Sequence, residues 1–173
     1  RCTVTGTGDL KFSVTNTSGG TTFYTQTVSV PEPQVTLVTS LGTVVMELNP
    51  TAAPITVKNF LSYVNQSPSF YKDTLVHRVI SGFMVQGGGF NTGMVQKTGL
   101  SPAITLESQN GLLNVRGAVA MARTPEANSA TAQFFVNLVD NAFLNYASAS
   151  NPGYAVFGKV VSGMDVIDLM ATK

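Results

Sequence analysis

The chain has 173 residues, of which 43% are hydrophobic and only 11% charged, and Lys+Arg 10 against Asp+Glu 9 leaves a net charge of +1. That composition supports one core-forming domain, or one domain and part of a neighbour, and excludes a disordered chain, a nucleic-acid binder built on clustered cations and a polybasic membrane-surface binder. One Cys and one His leave no disulfide framework and no cysteine-based zinc site, and no stretch approaches the roughly 18 apolar residues of a membrane-inserted helix, so chemistry without metal or cofactor is expected.

Residues 1–30 hold nine Thr and three charged residues, and polar and apolar positions alternate at Cys2-Thr3-Val4-Thr5, Lys11-Phe12-Ser13-Val14 and Thr25-Gln26-Thr27-Val28-Ser29-Val30. This is the period-two signal of strands, with a turn at Asn16-Thr17-Ser18-Gly19-Gly20. Thirty residues are too few to bury a core. They read as the end of a preceding β-domain or as an added layer, with Cys2 either a buried thiol or the partner of a cysteine further upstream. The chain opens on Arg1, so the numbering is expected to start inside a longer precursor. Residues 31–34 form a Pro-rich linker, because each Pro fixes φ and disfavours helix before it.

A second unit is expected over 35–173. Val35–Thr39 and Gly42–Leu48 read as strand, turn and strand. Between Pro50 and Gln66 the period becomes helical, with Val57, Phe60, Leu61 and Val64 on one side. Strands follow at 74–80 and 83–87 around a Ser81-Gly82 turn, then short strands and Gly-rich turns up to Phe157, and a second helix over 163–170. Many short strands with two helices predict an all-β sandwich or barrel whose ends the helices cover.

Alternation within these strands sorts the side chains. Arg78 is expected on one face with Thr74 and Val76, and His77 on the other with Leu75 and Val79. Met84 and Gln86 share a face, as do Gln133 and Phe135, while Val85, Phe134 and Val136 point the other way. His77 is read as a satisfied core histidine. Glu107 and Asp140 share no motif and read as surface residues. Gly87-Gly88-Gly89 follows a strand but opens no helix, so it is not read as a phosphate loop.

The run from Val35 to about Met170 resembles the cyclophilins, a family of peptidyl-prolyl cis-trans isomerases. The matching motifs are Phe70-Tyr71, His77-Arg78-Val79-Ile80, Gly82 through Gly88, Met121-Ala122, Ser129 through Phe135, and Val156 through Val160. Gly87 through Phe90, Asp140 through Leu144 and Gly153 through Phe157 look most like the bacterial periplasmic type. The resemblance implies a mainly β fold: a closed eight-stranded antiparallel barrel capped by two helices, with its groove on the outer face. It also implies a periplasmic or cell-envelope location, proline-containing polypeptides as substrates, no metal or cofactor, and a monomer.

Carried over position by position, Arg78 falls on the family's catalytic arginine and Gln86 on a groove glutamine that assists it. Phe83, Met84, Phe135 and Leu144 fall on the proline pocket, with Tyr154 as its wall. Gln133 falls on a second groove glutamine, and Ala122 and Arg123 on the segment whose backbone pairs with substrate. Phe143 stands where many eukaryotic members have the Trp associated with cyclosporin binding, Tyr154 where they have a pocket His, and Arg123 in place of Asn. Weak cyclosporin binding with retained isomerase activity is expected. The resemblance further implies a barrel-closing strand after the helix near Met170. The sequence reaches Lys173 and leaves open whether residues 1–30 supply strands in its place.

The chemistry suits these residues. Resonance raises a barrier of about 18–20 kcal/mol to rotation of a peptide bond, and no covalent bond has to break to cross it. On twisting, the imide nitrogen becomes pyramidal and gains a lone pair. A guanidinium is a permanently charged donor that meets this lone pair only in the twisted state, which is differential binding of the transition state. The alternative for the same groove is a chaperone or adaptor module that binds peptides with little turnover.

Overall fold

The computed structural model describes residues 8–15, 18, 20 and 22–173. The strand expected at 2–5, part of the turn at 16–20 and the partner of Cys2 lie outside the described residues. The Thr-rich alternation produces β1 (Gly8–Thr15) and β2 (Thr22–Val30), which pair antiparallel with Gly8 opposite Val30. They form a two-stranded sheet of their own. The Pro-rich segment after them is tied at its end, where the Leu48 amide donates to the Pro33 carbonyl at 2.9 Å.

The remaining strands form one antiparallel sheet. They are β3 (Gln34–Thr39), β4 (Gly42–Leu48), β5 (Thr74–Ile80), β6 (Met84–Asn91), β7 (Val95–Gln96), β8 (Ala118–Met121), β9 (Phe134–Asn137) and β10 (Val156–Ser162). Neighbours run β3-β4-β10-β8-β9-β6-β5, with β7 added on β6. The sheet has the expected eight strands and two helices but curls into a half-barrel, not the closed barrel that the resemblance implies. It is open along one seam, where β3 and β5 are its two ends and flank a cleft of about 300 Å³ lined by Leu37, Val38, Leu75 and Val76.

Helix α1 (Pro54–Val64) and helix α2 (Met164–Met170) pack on the inside of the curl. The interior cluster joins Val44, Met46 and Leu48 of β4 to Val85, Phe134, Val136 and Phe157, and to Val57 and Phe60 of α1 and Ile167 of α2. Phe60 is its centre, with ring centroids 5.2 Å from Tyr71, 5.3 Å from Phe134 and 5.2 Å from Phe157. No helix among the described residues is long and apolar enough to cross a membrane.

The start of α1 shows how distant segments are fastened. Pro54 opens the helix, and Ala53 before it has no side-chain oxygen with which to cap the free amides. Glu107 supplies the cap. One carboxylate oxygen accepts from the Ile55 amide at 3.1 Å, and the other accepts from the Thr56 amide and the Thr56 hydroxyl, each at 2.7 Å. A carboxylate at a helix N-terminus also meets the positive end of the helix dipole. Read from the sequence as a surface residue, Glu107 instead ties the long 97–117 connection to the helix. Replacing it with Ala is expected to lower stability by about 1–2 kcal/mol, as loss of an N-cap does, with the change read in the midpoint of urea unfolding.

Candidate functional site

The site lies on the outer face of β6, β8 and β9. These strands are buried on both sides, so alternate residues feed two separate apolar clusters. Val85, Val119, Phe134 and Val136 point inward, while Met84, Ala118, Ala120 and Phe135 point outward and meet Leu144 and Val156. Partly buried Phe83, Ala122 and Tyr154 complete the outer cluster. The partition expected from alternation holds at Met84, Val85, Phe134, Phe135 and Val136.

Within this cluster is a hollow of about 100 Å³. Drug-sized ligands occupy cavities of about 300–1,000 Å³, so this one suits a single small ring. Phe83, Met84, Phe135 and Leu144 line it with Tyr154, whose ring meets Phe135 edge-on at 5.6 Å. Arg78, Gln86, Ala122 and Arg123 stand around it. Ala118, Ala120 and Val156, which the sequence reading did not name, belong to the same cluster. The alternation that brings in Ala122 carries Ala118 and Ala120 with it.

Arg78 reaches this face by an irregularity in β5. Val76 pairs with Gly87, yet Arg78 pairs with Gln86, so His77 is an extra residue at a bulge. Paired residues share a face, so Arg78 joins Gln86, and Val76 does not share that face as strict alternation had implied. The guanidinium carbon lies 6.0 Å from the Phe83 ring centroid, and Nη1 donates to Gln86 Oε1 at 3.3 Å. Neither ion pair among the described residues involves Arg78. Its charge is exposed at the mouth of an apolar hollow and is not neutralised by a carboxylate.

Gln133 stands one step behind. Gln86 Nε2 donates to Gln133 Oε1 at 2.9 Å, forming a chain Arg78–Gln86–Gln133. Gly89 makes room for it, since a Cβ there would lie 2.6 Å from Gln133 Cδ. This gives the Gly triplet a reason unrelated to phosphate.

Other residues depart from expectation. Phe143 does not line the hollow. It is 67% exposed in a 3-10 turn, Ala142–Leu144, and stacks on Phe83 at 5.6 Å as an outer rim. Arg123, expected to act through its backbone, engages its side chain. Its Nε donates to the Gly153 carbonyl at 2.9 Å, its Nη1 to the Thr124 carbonyl at 2.9 Å, and its guanidinium lies 4.7 Å over the Tyr154 ring. His77 is half-buried at the bulge, 4.6 Å from the Phe90 ring, and does not sit in the interior cluster. Its Nδ1 is buried without a hydrogen-bond partner, so it is not the satisfied histidine expected, and burial lowers its pKa below the ordinary 6.5, helped by the adjacent Arg78 charge and opposed by the polar groups of Leu75 and Gln133 nearby.

Residues 34–173 match the family described as cyclophilin type peptidyl-prolyl cis-trans isomerase. A peptidyl-prolyl cis-trans isomerase of Acinetobacter baylyi is 54% identical over 137 residues, covering 79% of this chain and 71% of the relative. Peptidyl-prolyl cis-trans isomerase B of Escherichia coli is 54% identical over 136 residues, covering 78% of this chain and 81% of the relative. A crystal structure of a cyclophilin type isomerase from Cryptosporidium parvum superposes with a TM-score of 0.69 at 27% identity, covering 81% of this chain and 84% of that one. Another, determined in the presence of the dipeptide Ala-Pro, gives 0.68 at 27% identity, covering 80% and 85%. The chain belongs to the cyclophilin-type peptidyl-prolyl cis-trans isomerases. Its activity is rotation about X–Pro peptide bonds.

Two outcomes follow from this geometry. Gly89→Ala pushes Gln133 away from Gln86, and loss of one orienting hydrogen bond is expected to reduce kcat/KM about three- to tenfold in a tetrapeptide isomerisation assay, with little change in Tm. His77 is the only histidine. Its folded pKa is depressed, so as pH falls below 6.5 the unfolded chain takes up the proton first, and stability should decline until the pH passes through the folded value. Urea unfolding at pH 7.5 and 5.5 reads this, and His77→Gln should remove that part of the decline.

Proposed function

We propose that Arg78 is the catalytic side chain and that the adjoining hollow holds the proline ring while the chain before it turns. The observation that carries this is the exposed guanidinium, in no ion pair among the described residues, beside a hollow of about 100 Å³ in which Phe83, Met84, Phe135 and Leu144 stand together. Phe83, Met84, Phe135 and Leu144 grip the pyrrolidine, with Tyr154 as the wall, and a bound peptide that covers the guanidinium displaces water from it and so strengthens a hydrogen bond to the developing lone pair. Gln86 accepts from Arg78 and so aims the guanidinium, and Gln133 holds Gln86. The Ala122 amide already donates to the Gln133 carbonyl at 2.9 Å, so the substrate backbone pairs with the Ala122 carbonyl and the Arg123 amide. The Ala-Pro dipeptide named with the related structure has the minimal chemistry this pocket takes.

The substrates on this reading are unfolded or partly folded chains with exposed X–Pro bonds, and the protein assists their folding as a monomer in the bacterial cell envelope. The envelope location rests on the motif likeness at 87–90, 140–144 and 153–157. Cyclosporin binds weakly, because Phe143 and Tyr154 stand in place of Trp and His. Cell fractionation and size-exclusion chromatography test location and oligomeric state.

Arg78→Ala is expected to lower kcat/KM by about 10²- to 10³-fold, the usual cost of one transition-state donor, with peptide affinity nearly unchanged. Arg78→Lys should fall between, since it keeps the charge without the planar fork. Proline-limited refolding and a tetrapeptide assay measure both, and adding cyclosporin to the same assay reads its inhibition. An Arg78→Ala variant as active as the wild type would sink the assignment of Arg78, and a wild type that binds the peptide with little turnover would favour the adaptor reading.

A further inference from the structure

The strands that floor the hollow are fixed by ladder hydrogen bonds, but three parts of its wall are not. Phe83 sits in the turn before β6, Leu144 in the 3-10 turn and Tyr154 in the loop before β10. What holds these irregular segments is a group of buried side-chain amides behind them. Asn114, Asn137 and Asn141 are 1%, 0% and 3% exposed. Asn141 Nδ2 donates to Asn137 Oδ1 at 2.8 Å, and Asn137 Nδ2 donates to Asn114 Oδ1 at 3.2 Å. The three amides run head to tail.

Their remaining donors go chiefly to the wall. Asn141 Nδ2 also donates to the Phe83 carbonyl at 3.0 Å. Asn114 Nδ2 donates to the Leu144 carbonyl at 3.1 Å and the Tyr154 carbonyl at 3.4 Å, and is oriented by Asn145 Oδ1 at 3.2 Å. Asn137 Nδ2 donates to the Ala118 carbonyl at 3.2 Å, which anchors the chain to β8. The backbone completes the lattice: the Leu144 amide donates to the Asn141 carbonyl and the Tyr154 amide to the Leu144 carbonyl, each at 2.9 Å. Gly153 lets the Tyr154 segment lie this close, because a Cβ there would be 2.5 Å from the Asn145 carbonyl carbon.

A carboxamide is the side chain for this task. It offers two donors and an acceptor on a short stem, so it can pass one hydrogen bond along while tying off a carbonyl. The Phe83 carbonyl also accepts from the Leu138 amide at 2.9 Å and the Leu144 carbonyl from the Tyr154 amide, so at these two points the side-chain amides add a second tie, and a buried polar network of this kind specifies one arrangement of the backbone.

We infer that Asn114, Asn137 and Asn141 are positioning residues for the proline pocket, an amide chain that sets Phe83, Leu144 and Tyr154 against the strand floor. The inference rests on the reading of the hollow as the proline site. It places three residues in the machinery that do not touch substrate and have no charge. Loss of a link lets the wall relax and loosens the fit to a pyrrolidine more than to an open-chain side chain.

Asn141→Ala removes the bonds to Phe83 and Asn137 together. The readout is the ratio of dissociation constants for a tetrapeptide containing Ala-Pro and for its Ala-Ala counterpart, with kcat and KM measured alongside. The ratio is expected to fall about fivefold and KM to rise by a similar factor, the effect of one or two lost hydrogen bonds on a binding equilibrium. The same fall is expected in the Arg78→Ala background, because the pocket and the guanidinium act on different parts of the substrate. A variant that melts cooperatively well above the assay temperature, with a lowered Tm but an unchanged proline-to-alanine ratio, overturns the inference, since a purely structural role moves only stability. If Asn141→Ala does not fold, Asn145→Ala, which removes the acceptor of both the Asn114 backbone amide at 2.7 Å and its Nδ2 at 3.2 Å, decides by the same ratio. A wild-type protein without proline preference would overturn the pocket reading itself, an outcome distinct from intact wild-type preference that survives in the variants.

Discussion

A single antiparallel layer must bury apolar side chains on both of its faces. The inner face packs on two helices, and the outer face stays apolar and partly open, because on the proposed reading that is where a proline ring enters. Strands β6, β8 and β9 meet the demand by alternating core residues with pocket residues: Val85 with Met84, Val119 with Ala120, and Phe134 with Phe135. Large inward side chains anchor the strands, and small outward ones such as Ala118 and Ala120 leave a hollow. A shift of register by one residue would exchange the two faces and remove both core and site.

The second requirement is a charge that remains available. A guanidinium beside apolar rings invites a carboxylate, and a paired Arg78 would be spent before substrate arrives. With 11% charged residues in the chain, few carboxylates compete, and among the described residues Asp168 pairs with Arg116 and Glu47 with Lys159. Gln86 and Gln133 orient Arg78 without cancelling its charge, as neutral acceptors must where the full charge is to be kept for the transition state.

The polar architecture around the site follows the same economy. Arg123 folds over Tyr154 and fastens the Gly153 loop, while the asparagines secure the wall from behind. Irregular segments carry much of the pocket here, and irregular backbone needs side-chain partners that a strand ladder would have supplied.

Periodicity and residue type determined much on their own: both helices, the strands from β3 to β6, the inward role of Phe134 and the outward role of Phe135. These were legible because each depends on a repeat of two or 3.6 residues within one segment. Tertiary structure alone decided the rest. The bulge at His77 arises from pairing with β6, and it decides which face Arg78 occupies. Glu107 caps a helix far away in sequence, Phe143 stacks outside the hollow, and three asparagines spread over 28 positions meet head to tail. No local pattern encodes such meetings, because a hydrogen bond or ring contact between distant segments depends on where the folded sheet brings their ends.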